Sequence, residues 1–126
     1  MPARPAPTKP RLDLRLRLYL GEEIAMGPGK ADLLEAIRDT GSIAAAGRQM
    51  GMSYRRAWQL VDTMNRCFRA PVVATERGGA GRGGAALTDL GLRALEEYRR
   101  LEGIAREAAA PRQKALARLL ATGLAR

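Results

Sequence analysis

No histidine occurs anywhere in the 126 residues, which removes the commonest general base and the commonest metal ligand together. Cysteine occurs once, as Cys67, so no intramolecular disulfide is possible. Aromatic side chains are few: Tyr19, Tyr54, Trp58, Phe68 and Tyr98 are the whole set, so the core must be built from Leu, Ile, Met and Ala. No run of about 18 apolar residues exists, so no membrane-spanning helix is expected. Residues 1–10 (MPARPAPTKP) hold four prolines and lack the apolar stretch of a signal peptide. They are expected to be a disordered basic arm, and the expected location is the cytoplasm, at the bacterial nucleoid.

What the chain does have is positive charge and enough apolar residues to fold. Lys and Arg number 22 against 13 Asp and Glu, a net charge of +9, and 46% of residues are hydrophobic. That length suits one domain. The charge excess favours a polyanionic partner, and most of it is arginine, whose planar fork of donors matches phosphates and guanine edges.

Residues 12–20 (LDLRLRLYL) alternate apolar and polar, the period-2 pattern of a half-buried strand with Leu12, Leu14, Leu16, Leu18 and Leu20 on one face. Residues 26–29 (MGPG) read as a turn. A helix over 30–40 uses Leu33, Leu34 and Ile37 as its apolar stripe and ends at Gly41. Ser42 caps a short helix to residue 50, Gly51 breaks it, and Ser53 caps a third helix to about residue 68. Residues 72–76 and 85–87 form the strands of a hairpin. Thr88 caps a long fourth helix over 89–109, which Pro111 is expected to end. Residues 112–126 are expected to form a further short helix or tail. Three helices followed by a hairpin and a long helix make a mainly α winged helix-turn-helix. The DNA-binding body spans 11–88 and a dimerisation helix 89–110.

The strongest local signal is the pair of capped helices separated only by Gly51 and Met52. So short a link forces a steep crossing, and Ala46 and Gly47 supply the small contact it needs. Projected at 100° per residue, the third helix turns Ala57, Leu60, Val61, Met64 and Phe68 inward and Arg55, Arg56, Gln59, Asp62, Thr63 and Arg66 outward. Arg55, Arg56 and Gln59 sit in its first two turns, the part that reaches base edges in the major groove, where Arg pairs with guanine and Gln with adenine. Ser42 and Ser53, at helix starts, are candidate phosphate holders. Tyr54 is placed at the interior edge with its hydroxyl toward a phosphate, and Trp58 near the border as a packing residue. Thr63 and Arg66 complete the candidate DNA-binding face. Cys67, near the core side, reads as a structural thiol.

The stretch GGAGRGG contains a formal G-x-G-x-x-G at Gly79, Gly81 and Gly84. Dinucleotide sites need a helix directly at the glycines, whereas here a short apolar stretch intervenes, so no phosphate cofactor is expected. A wing accounts for it better. Gly78–Gly84 let the backbone approach DNA closely, and Arg77 and Arg82 bring charge to phosphates or a narrow minor groove. No paired carboxylates stand in a pocket, and Cys67 has no imidazole partner, so no enzyme and no metal site is expected. Against sequence-specific regulation stand two alternatives: a non-specific nucleoid-associated binder, for which the charge alone suffices, and a protein-interaction adaptor.

The run GSIAAAGRQMGMSYRRAWQLVDTMN, the glycine-rich wing ending in ALTDLG, and a long helix with Tyr98 resemble the DNA-binding domain of the molybdate-responsive ModE regulators, itself related to the LysR-type winged helix. The resemblance covers about residues 14–109. It implies a homodimer joined through the fourth helix and the N-terminal segment on a pseudo-palindromic operator of double-stranded DNA. It puts Ser53, Tyr54, Arg55 and Arg56 at the start of the recognition helix, and Arg82 in the wing. Leu95, Tyr98, Leu101 and Ala105, at helical spacing, are the expected dimerisation residues. Full-length ModE proteins continue into molybdate-binding domains for which these 126 residues leave no room, so the expectation is a stand-alone form to which molybdate does not bind.

Overall fold

A computed structural model describes residues 9–77 and 83–121. Its elements run β1 (Leu18–Leu20), β2 (Glu23–Met26), α1 (Pro28–Thr40), α2 (Ile43–Gln49), α3 (Tyr54–Cys67), β3 (Val73–Arg77), β4 (Gly83–Leu87) and α4 (Asp89–Ala117). β1 pairs with β2, and β3 with β4, as two separate antiparallel hairpins. The architecture is the expected winged helix-turn-helix with a long C-terminal helix.

The caps fall where the side chains allow them. Ser42 Oγ accepts from Ala45 N–H at 3.0 Å, Ser53 Oγ from Arg56 N–H at 3.0 Å, and Thr88 Oγ1 from Gly91 N–H at 3.0 Å. Gly41 and Gly51, at φ 72° and 70°, take the left-handed conformation that ends α1 and turns the chain between α2 and α3. At the α2–α3 crossing, a Cβ on Gly47 would stand 3.2 Å from that of Ala57, so the backbones approach as closely as they do because one partner has no side chain.

The core is aliphatic. Leu33, Leu34 and Ile37 of α1 meet Ala46 of α2, Val61 and Met64 of α3 and Val72 ahead of β3, all without exposed surface, and Leu95 and Tyr98 of α4 close it from the far side. The helices therefore cohere chiefly by removing apolar surface from water. Asn65 adds a polar clip: its Oδ1 accepts from the N–H groups of Val72 and Val73 at 2.8 and 3.1 Å, and its Nδ2 donates to Val73 O at 3.2 Å. The wing is tied down as well. Ala85 N–H donates to Gly41 O at 2.9 Å, linking β4 to the turn ahead of α2.

Three expectations need correction. The alternating stretch 12–20 is a strand only over Leu18–Leu20; Leu12, Leu18 and Leu20 are exposed, and only Leu14 and Leu16 are half-buried. Its partner β2, Glu23–Met26, overlaps what reads as a turn, because four residues with no alternation carry too little pattern to mark a strand. Pro111 does not end the fourth helix, which runs unbroken to Ala117. Proline there removes the one N–H that would reach the Glu107 carbonyl. The residue is exposed, water can take that carbonyl, and the alanines on either side sustain the helix.

Candidate nucleic-acid interface

α3 is held from behind. Ala57, Val61 and Met64 are fully buried against the rest of the core, while Leu60, Trp58 and Phe68 pack half-buried beside them. This leaves the opposite face at the surface by default. Arg55, Arg56 and Gln59 are all exposed there. Among the described residues none of the three side chains has a hydrogen-bonding or ion-pairing partner. Arg55 and Gln59 are one turn apart on the same face, about 6 Å along the axis.

Other arginines are committed differently. Arg66, in the last turn of α3, reaches Asp62 at 3.1 Å and Glu23 at 3.2 Å, so its charge is largely neutralised within the protein. Thr63 Oγ1 donates back to Gln59 O at 3.0 Å, a helix-internal bond that occupies its proton. Arg99 on α4 gathers three carboxylates, Asp32 at 2.8 Å and Glu35 and Glu102 at 2.9 Å each, and so clamps α4 to α1. Arg66 and Arg99 are thus engaged within the protein, whereas the side chains of Arg55 and Arg56 at the start of α3 have no partner among the described residues.

Tyr54 departs from its expected place. Periodicity puts it at the interior edge, yet it is 56% exposed, because the first residue of the helix overhangs the packed turn that begins at Ala57. Its ring meets Trp58 edge-on, with centroids 6.3 Å apart and planes at 82°, and its hydroxyl accepts the indole N–H. Ser53 is exposed and Ser42 half-buried at their caps.

Two cations that the sequence reading passed over join this side of the molecule. Lys30 lies in the first turn of α1. Partial burial holds its amine below the ordinary lysine value, and the nearby Arg56 guanidinium adds to the effect. The aliphatic stem of Arg17 rests near Gly27, the residue capping that helix, 3.4 Å from where a Cβ would stand. Neither had a sequence signal, since both depend on how β1 and α1 come to lie beside α3.

The wing is described at its base only. Arg77 ends β3 opposite Gly83, and Arg82 lies outside the described residues, as do Gly79 and Gly81. On α4, Leu95 and Tyr98 are buried in the protein's own core, with Tyr98 donating its hydroxyl to Leu16 O at 2.8 Å. Ala105 is half-buried and Leu101 is 46% exposed. Farther along the helix, Ile104 and Leu116 are exposed as well. Cys67 is half-buried, its Sγ 3.8 Å from a Glu23 carboxylate oxygen. It lines an open groove of about 660 Å³ between β1, the end of α3 and α4. Among the described residues no cluster of three or more Cys, Asp or Glu side chains could hold a metal ion, and no helix is long and apolar enough to cross a membrane.

No family model matches the chain. It is 45% identical over 82 residues to the molybdenum-pterin-binding protein MopB of Rhodobacter capsulatus, 64% of this chain and 30% of that protein. It is 39% identical over 95 residues to the molybdenum transport protein ModE of Azotobacter vinelandii, 75% of this chain and 35% of that protein. To the DNA-binding transcriptional dual regulator ModE of Escherichia coli K12 it is 33% identical over 96 residues, 76% of this chain and 37% of that protein. In structure it is similar to the protein of the CbnR_DBD-DNA complex, with a TM-score of 0.53 at 22% identity, covering 71% of this chain and 95% of that one, a likeness of fold. The chain spans about a third of the length of the curated relatives it matches, and within that third it is similar to ModE and Mop proteins.

Proposed function

We propose that this chain is the DNA-binding part of a dimeric, sequence-specific transcriptional regulator of the ModE kind. The observation that carries this is the state of α3: its back is fully packed, while Arg55, Arg56 and Gln59 stand exposed in its first two turns with no partner among the described residues. Unpaired guanidinium groups at the exposed start of a rigid helix suit guanine edges in a major groove, with Gln59 set to read adenine. Ser53, Tyr54 and Ser42 would contact phosphates beside the groove, and Arg77 and Arg82 would do so from the wing. Arg66 and Thr63, occupied internally, contribute by bracing the helix.

The dimer is assigned to the outer part of α4. This helix of 29 residues is about 43 Å long, and it carries Leu101, Ile104 and Leu116 exposed on a side beyond the core. Leu95 and Tyr98 hold α4 to its own body, so Leu101 and Ala105 remain of the four residues first expected at the contact, joined by Ile104 and Leu116. A two-fold pair would present two recognition helices to a pseudo-palindromic operator.

The test is selection of genomic fragments by the purified protein at about 150 mM salt, which screens non-specific phosphate contacts. A pseudo-palindromic motif supports the proposal, and the neighbouring genes, molybdenum-related or otherwise, identify the pathway. Retention of fragments without a motif would make the chain a general nucleoid binder, and no retention would make it an adaptor. Sedimentation of the protein and of Ile104→Glu tests the dimer: the variant is expected to sediment as a monomer.

A further inference from the structure

The Tyr54–Trp58 pair has a chemical asymmetry that packing alone does not require. An indole N–H can only donate, whereas a phenol hydroxyl has one proton to give and lone pairs to receive with. Trp58 donates to the Tyr54 oxygen, so that oxygen serves as acceptor within the protein, and its own proton has no acceptor among the described residues. Tyr54 is 56% exposed at the first position of α3. Accepting a hydrogen bond also polarises a hydroxyl and makes it a better donor.

Its neighbour is arranged alike. Ser53 Oγ already accepts from Arg56 N–H at 3.0 Å, which leaves its proton toward solvent. With the guanidinium groups of Arg55 and Arg56 beside them, Ser53 and Tyr54 make an edge rich in donors, on which each hydroxyl oxygen already accepts one hydrogen bond from the protein. A donor-rich edge of that kind matches the unprotonated oxygens of a phosphodiester.

We propose that Trp58 is a positioning residue: its indole N–H fixes the Tyr54 hydroxyl as a dedicated donor to a backbone phosphate of DNA at the rim of the major groove. The proposal rests on the DNA-binding reading above and adds to it which hydroxyl is used, in which direction, and what orients it. Trp58 itself touches no DNA.

The experiment measures affinity by fluorescence anisotropy on a short duplex carrying the strongest site from the genomic selection, and on a scrambled duplex, across a salt series. Tyr54→Phe is expected to bind about five- to tenfold more weakly on both duplexes. Trp58→Phe, which keeps a ring and removes only the N–H, is expected to bind about two- to fivefold more weakly, and the double variant no more weakly than Tyr54→Phe alone. The salt slope stays at the wild-type value in all three, since a hydroxyl displaces no counterion; a displaced recognition helix would also lose Arg contacts and flatten the slope. Thermal midpoints measured alongside separate folding from contact: a Trp58→Phe loss that tracks the midpoint and flattens the slope makes the pair structural and overturns the proposal. Losses that multiply in the double variant overturn it, and so does a Tyr54→Phe loss confined to the selected site, which would mean a base contact. Equal binding by Tyr54→Phe and wild type overturns it while leaving the DNA-binding reading intact. Failure of the wild type to bind either duplex overturns both.

Discussion

Replacing Gly91 by alanine should damage this fold although alanine is the better helix former. Gly91 sits in the first turn of α4, and a Cβ there would stand 2.0 Å from the carbonyl oxygen of Val72 and 2.9 Å from its carbon. Ordinary contact begins at 3.4 Å, so one backbone would have to retreat by roughly 1.4 Å. That carbonyl accepts Thr88 N–H at 3.0 Å, and Val72 and Leu95 are buried on either side of the approach. Overpacking of this kind costs about 1–3 kcal/mol, and a weakened hydrogen bond about 1 more. The helix propensity of alanine returns about 1 kcal/mol. The net expectation is a loss of about 1–3 kcal/mol, or roughly 4–12 °C in Tm for a chain of this size. Gly103, in the same helix, is the control: an added Cβ there meets nothing within 4 Å, so Gly103→Ala should gain about 1 kcal/mol. Thermal unfolding followed by circular dichroism reads both. A Gly91→Ala midpoint at or above the wild-type value would refute the reasoning, and midpoints shifted equally in the same direction would show that propensity, and not the Val72 contact, governs this helix.

Asn65→Ala removes three hydrogen bonds at once and strands the N–H groups of Val72 and Val73, so chemical denaturation should show a loss of about 2–3 kcal/mol. Arg99→Gln leaves Asp32, Glu35 and Glu102 without their shared cation; a loss of about 1 kcal/mol is expected, and the gap from wild type should narrow in high salt. Burial, reinforced by Glu102, raises the Tyr98 hydroxyl above its ordinary 10.0. The unfolded chain therefore gives up that proton first, and stability that is complete below pH 10 falls as pH climbs through the folded value. Lys30, depressed below 10.5, acts in the opposite sense, so the difference between wild type and Tyr98→Phe is the readout: the variant should lose less on the alkaline side in a pH series of denaturation midpoints.

Legibility followed the range of the interactions. The helix-turn-helix was readable because its determinants are local: Ser42, Ser53 and Thr88 as caps, Gly41 and Gly51 as stops, and inward residues at helical spacing. Arg55, Arg56 and Gln59 were readable as surface residues for the same reason. The clip of Asn65 on β3 was not, because it joins residues whose proximity only the fold creates. Nor was the internal use of Arg66, which depends on Glu23, 43 positions away. Tyr54 was misplaced by a periodicity that knows angle but not helix end. Leu95 and Tyr98 were read as dimer residues because an apolar stripe does not say whether its partner is the same chain or another. Pro111 was read as a stop because the rule describes a cost, and an alanine-rich exposed stretch can bear that cost.

The bond from Ala85 to Gly41 has a consequence for what kind of duplex suits the protein. It couples the base of the wing to the turn that launches α2, and α2 is packed on α3, so helix and wing base keep a fixed gap as the jaws of a set caliper do. On the DNA-binding reading, a duplex that does not match the gap either strains this link or bends and changes groove width itself. The part of the mismatch energy that falls on the nucleic acid then tells stiff from pliant sequences even at base pairs no side chain reaches.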